Sequence, residues 1–343
     1  MRRLALRQRM IRPLPIALLA LLLVLAGCGR DEASTSGGSP AAASDARPEA
    51  EVSSSSSSSG SVSGPEVRIV KHAMGETKLA GTPKRIVSLY QGANDVSVAL
   101  GIKPVGIVES WIQKPVYDYL KKDLGDVPQL GTEDQPNLEA VYELKPDVIF
   151  ATKLRHEKIY DQLSKIAPTV MIDQVYDWKD TVRLFGETLN ATDKTDALMA
   201  EWNKRVADFK AKMRDRLPIE ATVANFRADH VRIYYNGYAN DILKEVGFGQ
   251  PASQRDQTVW GVQLTSKEAI PDLNADVIFR FDWEDENGGA EKMYGEWSKH
   301  PLWQTLDAVK NDQVYRVDDV AWNFAGGYLS ALDMLDELSS FYP

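Results

Sequence analysis

Glu139-Ala-Val-Tyr-Glu-Leu-Lys-Pro-Asp-Val-Ile-Phe150 and Glu268-Ala-Ile-Pro-Asp-Leu-Asn-Ala-Asp-Val-Ile-Phe279 align without a gap. Seven of the twelve positions are identical, and two more exchange Val for Ile and Glu for Asp. Each copy opens on a short stretch of helical spacing and closes on Asp-Val-Ile-Phe, the pattern of a buried strand. An internal repeat of a helix–strand unit predicts two pseudo-symmetric α/β lobes.

The sequence around the first copy supports this reading. Arg85-Ile-Val-Ser-Leu89 and Val105-Gly-Ile-Val108 are short β-branched strands, 94–100 is helical and stops at Gly101, and 169–172 is another strand. Strands alternating with helices imply a mostly parallel sheet. One long helix follows over 193–217. Its apolar positions Leu198, Trp202, Val206, Phe209, Met213 and Leu217 form a single stripe. Thr192 or Asp193 can cap its start and Pro218 ends it. At 1.5 Å per residue such a helix spans roughly 37 Å, enough to bridge two lobes. The alternation then restarts and delivers the second copy. The expected organisation is an N-terminal lobe over 65–190, a bridging helix over 191–218 and a C-terminal lobe over 219–343. Ligands of open α/β sheets bind beyond the carboxyl ends of the strands, so two facing lobes predict a cleft.

The N-terminus sets the compartment. Arg2, Arg3, Arg7, Arg9 and Arg12 precede an apolar run over 14–25, which ends in Leu25-Ala-Gly-Cys28. The run is short for a bilayer span and reads as a signal peptide over 1–27, cleaved before a lipid-modified Cys28. The alternative is an ordinary secretory leader with a chance cysteine. Cys28 is the only cysteine in the sequence, which excludes a disulfide framework and a thiolate metal site. Residues 28–64 include seven consecutive serines, 53–59, and read as a disordered tether. A tether of this length suits a Gram-positive surface better than a periplasm. With 49 acidic against 40 basic residues the net charge is −9, and loss of the leader makes it more negative. Nucleic acid is therefore not an expected partner.

Several motifs carry a family resemblance. They are Pro83-Lys-Arg-Ile-Val-Ser-Leu, Ala99-Leu-Gly-Ile-Lys-Pro-Val-Gly106, Asn137-Leu-Glu139 before Leu144-Lys-Pro-Asp147, and Val314-Tyr-Arg-Val. In this order, over about 67–342, the chain resembles the class III substrate-binding proteins of iron-siderophore, haem and cobalamin importers. Phe226-Arg-Ala-Asp-His-Val-Arg-Ile-Tyr234 and Trp322-Asn-Phe-Ala-Gly-Gly327 are similar to the ferric-siderophore branch, in particular to lipoproteins for hydroxamate or citrate-based carboxylate siderophores. The resemblance implies a monomeric binding protein, not an enzyme. Its cargo would be Fe(III) already held in a siderophore, with no intrinsic cofactor, and its partner an ABC permease dimer at the membrane. It also implies one permease-docking glutamate per lobe, at Glu139 and Glu268. Two equivalent carboxylates would match a two-subunit partner. The competing reading is that each only complements the positive end of its own helix.

A protein that takes a preformed ferric chelate needs donors for anionic oxygens and aromatic walls, not first-shell metal ligands. Arg280, directly after the second repeat, and Arg155, after the first, are candidates at strand ends. Arg227 lies in the motif that faces the ligand in relatives. Strict alternation along one strand would turn Arg232 away, towards a supporting role. Tyr234, Trp111, Trp260, Trp283 and Trp322 are the aromatic candidates, each with core packing as the alternative. Asn323 can donate and accept, and Gly326-Gly327 permits a tight backbone beside it. Direct metal binding finds little support, because His72, His156, His230 and His300 lack the spacing of a ligand set. The rival readings are a catecholate siderophore, haem or cobalamin in the same fold, or else an exported enzyme or adhesin. No Gly-x-Ser-x-Gly elbow or zinc motif supports an enzyme.

Overall fold

The computed structural model of the protein describes residues 67–283 and 287–343. The leader, Cys28 and the tether expected over 1–64 lie outside the described residues. Both Asp-Val-Ile-Phe segments form central strands of parallel arrays. The N-terminal lobe carries β3 (Ile86–Ser88), β4 (Gly106–Ile107), β5 (Val148–Thr152) and β6 (Thr169–Ile172), all parallel, in the order β4-β3-β5-β6. A hairpin of β1 (Val67–His72) and β2 (Gly75–Ala80) precedes it. The C-terminal lobe carries β7 (Ala221–Phe226), β8 (Val231–Tyr234), β9 (Gly261–Leu264), β10 (Val277–Asp282) and β11 (Val314–Arg316), in the order β11-β10-β7-β8-β9. Its β11, β10 and β7 are parallel, whereas β8 and β9 extend the sheet antiparallel.

The repeat is a mechanical unit. Ile86 pairs with Val148 in the first lobe as Ala221 pairs with Val277 in the second. The conserved-in-repeat aspartate clamps the start of the neighbouring strand in both. Asp147 Oδ2 accepts from the backbone N–H of Lys84 and Arg85 at 2.8 and 2.9 Å, and Asp276 Oδ2 accepts from that of Glu220 at 2.8 Å. The preceding segments differ. Leu138–Glu143 is α-helical with Asn137 as its cap, whereas Lys267–Leu273 is 3-10 with Ser266 as its cap. Pro271 stands inside the second, where it removes an N–H and crowds the preceding turn.

The bridging helix runs over Thr192–Met213, starting one residue before the expected 193 and ending four residues early; Ala191, not Thr192 or Asp193, holds the cap position, with no side-chain cap bond. Leu217 precedes Pro218, a position that disfavours helical backbone, so the chain leaves the helix before the proline. Trp202, Val206, Phe209 and Met213 of the predicted stripe are buried, while Leu198 and Leu217 are only partly so. Trp202 packs edge-on against Trp178 at 5.0 Å and donates its Nε1–H to Glu245 at 3.0 Å.

The two lobes share one core. A continuous apolar cluster joins Val148 and Phe150 of the first sheet, the bridging helix, Val277 and Phe279 of the second sheet, and the C-terminal helix Tyr328–Phe341. Asp95, fully buried on the helix Gln91–Ala99, accepts from the N–H groups of Leu329 and Ser330 at 2.8 and 3.0 Å and from Tyr119 Oη–H at 2.7 Å. It caps the C-terminal helix from across the lobe boundary. Gly327 admits this contact, because a Cβ there would lie 2.2 Å from Asp95.

Candidate functional site

Parallel strands with helices on their faces leave their carboxyl ends free, and the cavity lies there. It measures about 340 Å³ and is lined from both lobes. Trp111, Glu133 and Arg155 come from the first lobe. Arg227, Arg232, Tyr234, Trp260, Phe281 and Trp283 come from the second, with Trp322, Asn323 and Phe324 from the segment before the C-terminal helix.

The cations are each held by neighbours: Arg227 through its Nε, and Arg155 by two acids that reach its guanidinium. Arg227 follows β7, and its backbone N–H donates to His230 O at 3.0 Å in the tight connection to β8. Its Nε–H donates to Asn225 Oδ1 at 2.7 Å, and its guanidinium lies 3.8 Å from the centre of the Trp283 ring. Burial, then the neighbouring Arg232, hold its pKa below the usual guanidinium value. Arg155 sits on the single helical turn Lys153–His156 that follows β5, whose Thr152 cap accepts from its N–H. It meets Asp134 at 2.9 Å and Glu133 at 3.5 Å, and its guanidinium lies 5.4 Å from the Trp111 ring.

Arg232 departs from the sequence expectation. It lines the cavity together with Arg227. The two do not alternate along one strand, because Arg227 follows β7 and Arg232 lies in antiparallel β8. Arg280 departs in the other direction and does not line the cavity. It donates to both carboxylate oxygens of Asp282 at 2.6 and 2.7 Å and lies 3.4 Å over the Tyr294 ring, 7 % exposed. Along β10, Phe281 faces the cavity, so Arg280 shares the opposite face with Ile278. The strand runs on to Asp282, and the carboxyl end lies two residues beyond Arg280.

Among the aromatic candidates, Tyr234 stacks on Phe281 at 5.8 Å, and Trp260, 47 % exposed, stands at the rim. Trp322 serves cavity and core together: it is buried and donates Nε1–H to Glu337 at 2.6 Å. Asn323 lies beside it on the cavity wall, and Gly326 turns the chain there at φ +61°.

The residue that sequence reasoning missed is Glu133. It is buried in the wall, accepts from Gln91 N–H at 3.2 Å, and burial pushes its carboxyl up to about 7 against the opposing pull of Arg155. Its only signal is its place in the loop after β4, at a carboxyl end. The histidines are tied into the structure. His72 meets Thr77 Oγ1 at 2.8 Å, His156 meets Glu133 O at 2.8 Å and accepts from Thr152 N–H, and His300 accepts from Leu302 N–H.

Glu139 and Glu268 are both exposed in the first turn of their segments. The first segment starts after the chain pairs with the end of β4, and the second directly follows β9, which runs parallel to β7. Both glutamates therefore lie on the carboxyl-end side of their sheets, the side of the cavity.

A periplasmic binding protein family pattern matches residues 86–321. A probable siderophore-binding lipoprotein, YfiY of Bacillus subtilis, is 42% identical over 288 residues, 81% of this chain and 88% of that one. The achromobactin-binding periplasmic protein of Dickeya dadantii is 39% identical over 262 residues, 75% of this chain and 86% of that one. The crystal structure of Staphylococcus aureus SirA complexed with staphyloferrin B superposes with a TM-score of 0.76 at 48% identity, covering 80% of this chain and 97% of that one.

Proposed function

This chain belongs to the periplasmic binding protein family, and on that premise we propose that it captures a ferric siderophore outside the cytoplasm and delivers it to an ABC importer. It is a binding protein, not an enzyme. The cargo is of the citrate-based carboxylate type, with a hydroxamate as the next choice. One observation carries this: Arg155 from one lobe and Arg227 and Arg232 from the other converge on a single aromatic-walled cavity.

Three planar guanidiniums suit the carboxylate oxygens that a citrate-type ferric chelate presents, and indole faces suit its organic frame. The names of similar proteins support the choice, since they bind achromobactin, staphyloferrin B and Fe(3+)-citrate. The ferric ion stays inside its chelate and receives no ligand from the chain. Cys28 anchors the protein to the membrane by a lipid, and the following segment tethers the two-lobed body to it. Glu139 and Glu268 present one carboxylate from each lobe to a permease dimer. Tryptophan fluorescence tests the cargo. Ferric citrate or ferric staphyloferrin B should quench saturably at one molar equivalent, and no quenching by either would sink the carboxylate reading.

A further inference from the structure

We propose that His230 is a positioning residue that aims Arg232 into the ligand cavity, and that only its uncharged ring can do so. Ligand capture then weakens in acid through this one ring. The inference rests on the reading of the cavity as the siderophore site.

The hydrogen-bond chain dictates the chemistry. Arg232 Nε–H donates to His230 Nε2 at 2.9 Å. A guanidinium nitrogen can only donate, so Nε2 must present its lone pair. The ring proton therefore sits on Nδ1, which donates to Asp229 Oδ1 at 2.6 Å. His230 is 8 % exposed, so its ring is held by packing as well as by these two bonds. On its other side Arg232 lies 5.4 Å from the Trp260 ring. Its stem is thus cradled between an imidazole and an indole. The bond to His230 engages Nε, and the two terminal amino groups are left to meet a bound carboxylate.

Protonation breaks the arrangement. A second ring proton on Nε2 would point at the Arg232 Nε–H and place two cations at hydrogen-bond distance. The charged groups around the ring are Asp229 on the connecting turn, Arg227 at the end of β7 and Arg232 on β8. The Asp229 carboxylate is largely exposed. The residue across the β8–β9 ladder from Arg232 is Gln263, which is uncharged.

The test uses ferric staphyloferrin B as probe, titrated by tryptophan fluorescence from pH 8 to pH 5.5. His230→Ala should weaken binding about tenfold at pH 7.5, the size of one lost charge-assisted hydrogen bond. His230→Gln offers an amide oxygen to Arg232 and does not titrate. It should bind within about threefold of wild type at pH 7.5 and lose less affinity than wild type in acid. The ratio of the two Kd values cancels protonation of the chelate and of Glu133. Parallel pH curves for wild type and His230→Gln, or an unaltered Kd for His230→Ala, would overturn the inference alone. A wild type that binds no ferric chelate at all would overturn the siderophore reading and the inference with it. Ring nitrogen-15 spectra of the unliganded protein give an independent check. They should show the Nδ1–H tautomer for His230, and the opposite tautomer would refute the positioning role.

Discussion

Replacing Arg227 by alanine is the sharpest perturbation of the proposed binding site. Its guanidinium is held before any ligand arrives, by Asn225 through Nε and by the Trp283 face 3.8 Å away. Little side-chain freedom is left to lose on binding, so the ligand receives most of the gross interaction. A charge-assisted hydrogen bond contributes about 1.5–3 kcal/mol, which converts to a loss of roughly 10- to 150-fold in Kd. Arg227→Lys keeps the charge but loses the planar fork and the bond to Asn225, so its loss should fall between wild type and alanine. Fluorescence titration with ferric staphyloferrin B reads both variants, and a circular dichroism melt checks that each is folded. An Arg227→Ala protein that binds within twofold of wild type would refute the assignment of this arginine to the ligand.

Three further outcomes are expected. Glu139→Ala with Glu268→Ala should leave ferric chelate affinity intact while abolishing iron uptake by cells; lost affinity would count against docking. Burial pushes the Asp95 carboxyl up to about 6, so the folded chain holds a proton there that the unfolded chain has released. Its contribution to stability is therefore greatest below about pH 4 and is lost as pH rises through 6, on the order of 3 kcal/mol. Asp95→Asn should flatten that part of the stability profile in denaturant titrations, and an unchanged slope would show that Asp95 does not titrate there. Asp147→Ala should cost about 1–2 kcal/mol and Asp276→Ala less, because Asp147 clamps two backbone N–H groups and Asp276 clamps one. Urea midpoints rank the two, and a reversed order would contradict the clamp.

The fold was readable because the decisive pattern is local. Asp-Val-Ile-Phe alternates with helical segments at short range, and its recurrence announces the second lobe without any long-range inference. The shared core was not readable, since the contact of Asp95 with Leu329 and Ser330 joins residues that are far apart in sequence. The hairpin Val67–Ala80 was missed as well. Its strands are largely solvent-facing, so their alternation is weak in apolar residues. In the cavity, residues at strand ends turned on the register. Extending β10 by three residues, from Phe279 to Asp282, sends Arg280 to Asp282, and breaking 226–234 into two antiparallel strands brings Arg232 beside Arg227. Composition and motif cannot fix either placement, because a one-residue shift in a strand reverses the face. Glu133 escaped for a different reason: reasoning from an anionic cargo looks for cations and passes over a buried acid.

The central claim is that the arginine-lined cavity takes a citrate-type ferric siderophore. A parallel fluorescence titration of the intact protein against ferric staphyloferrin B, a ferric hydroxamate, a ferric catecholate, haem and cobalamin tests it most directly. Saturable one-to-one quenching is expected with the tightest Kd for ferric staphyloferrin B, a weaker Kd for the hydroxamate, and none for haem or cobalamin. Tight binding of haem, cobalamin or the catecholate, with no response to the carboxylate or hydroxamate chelates, would contradict it.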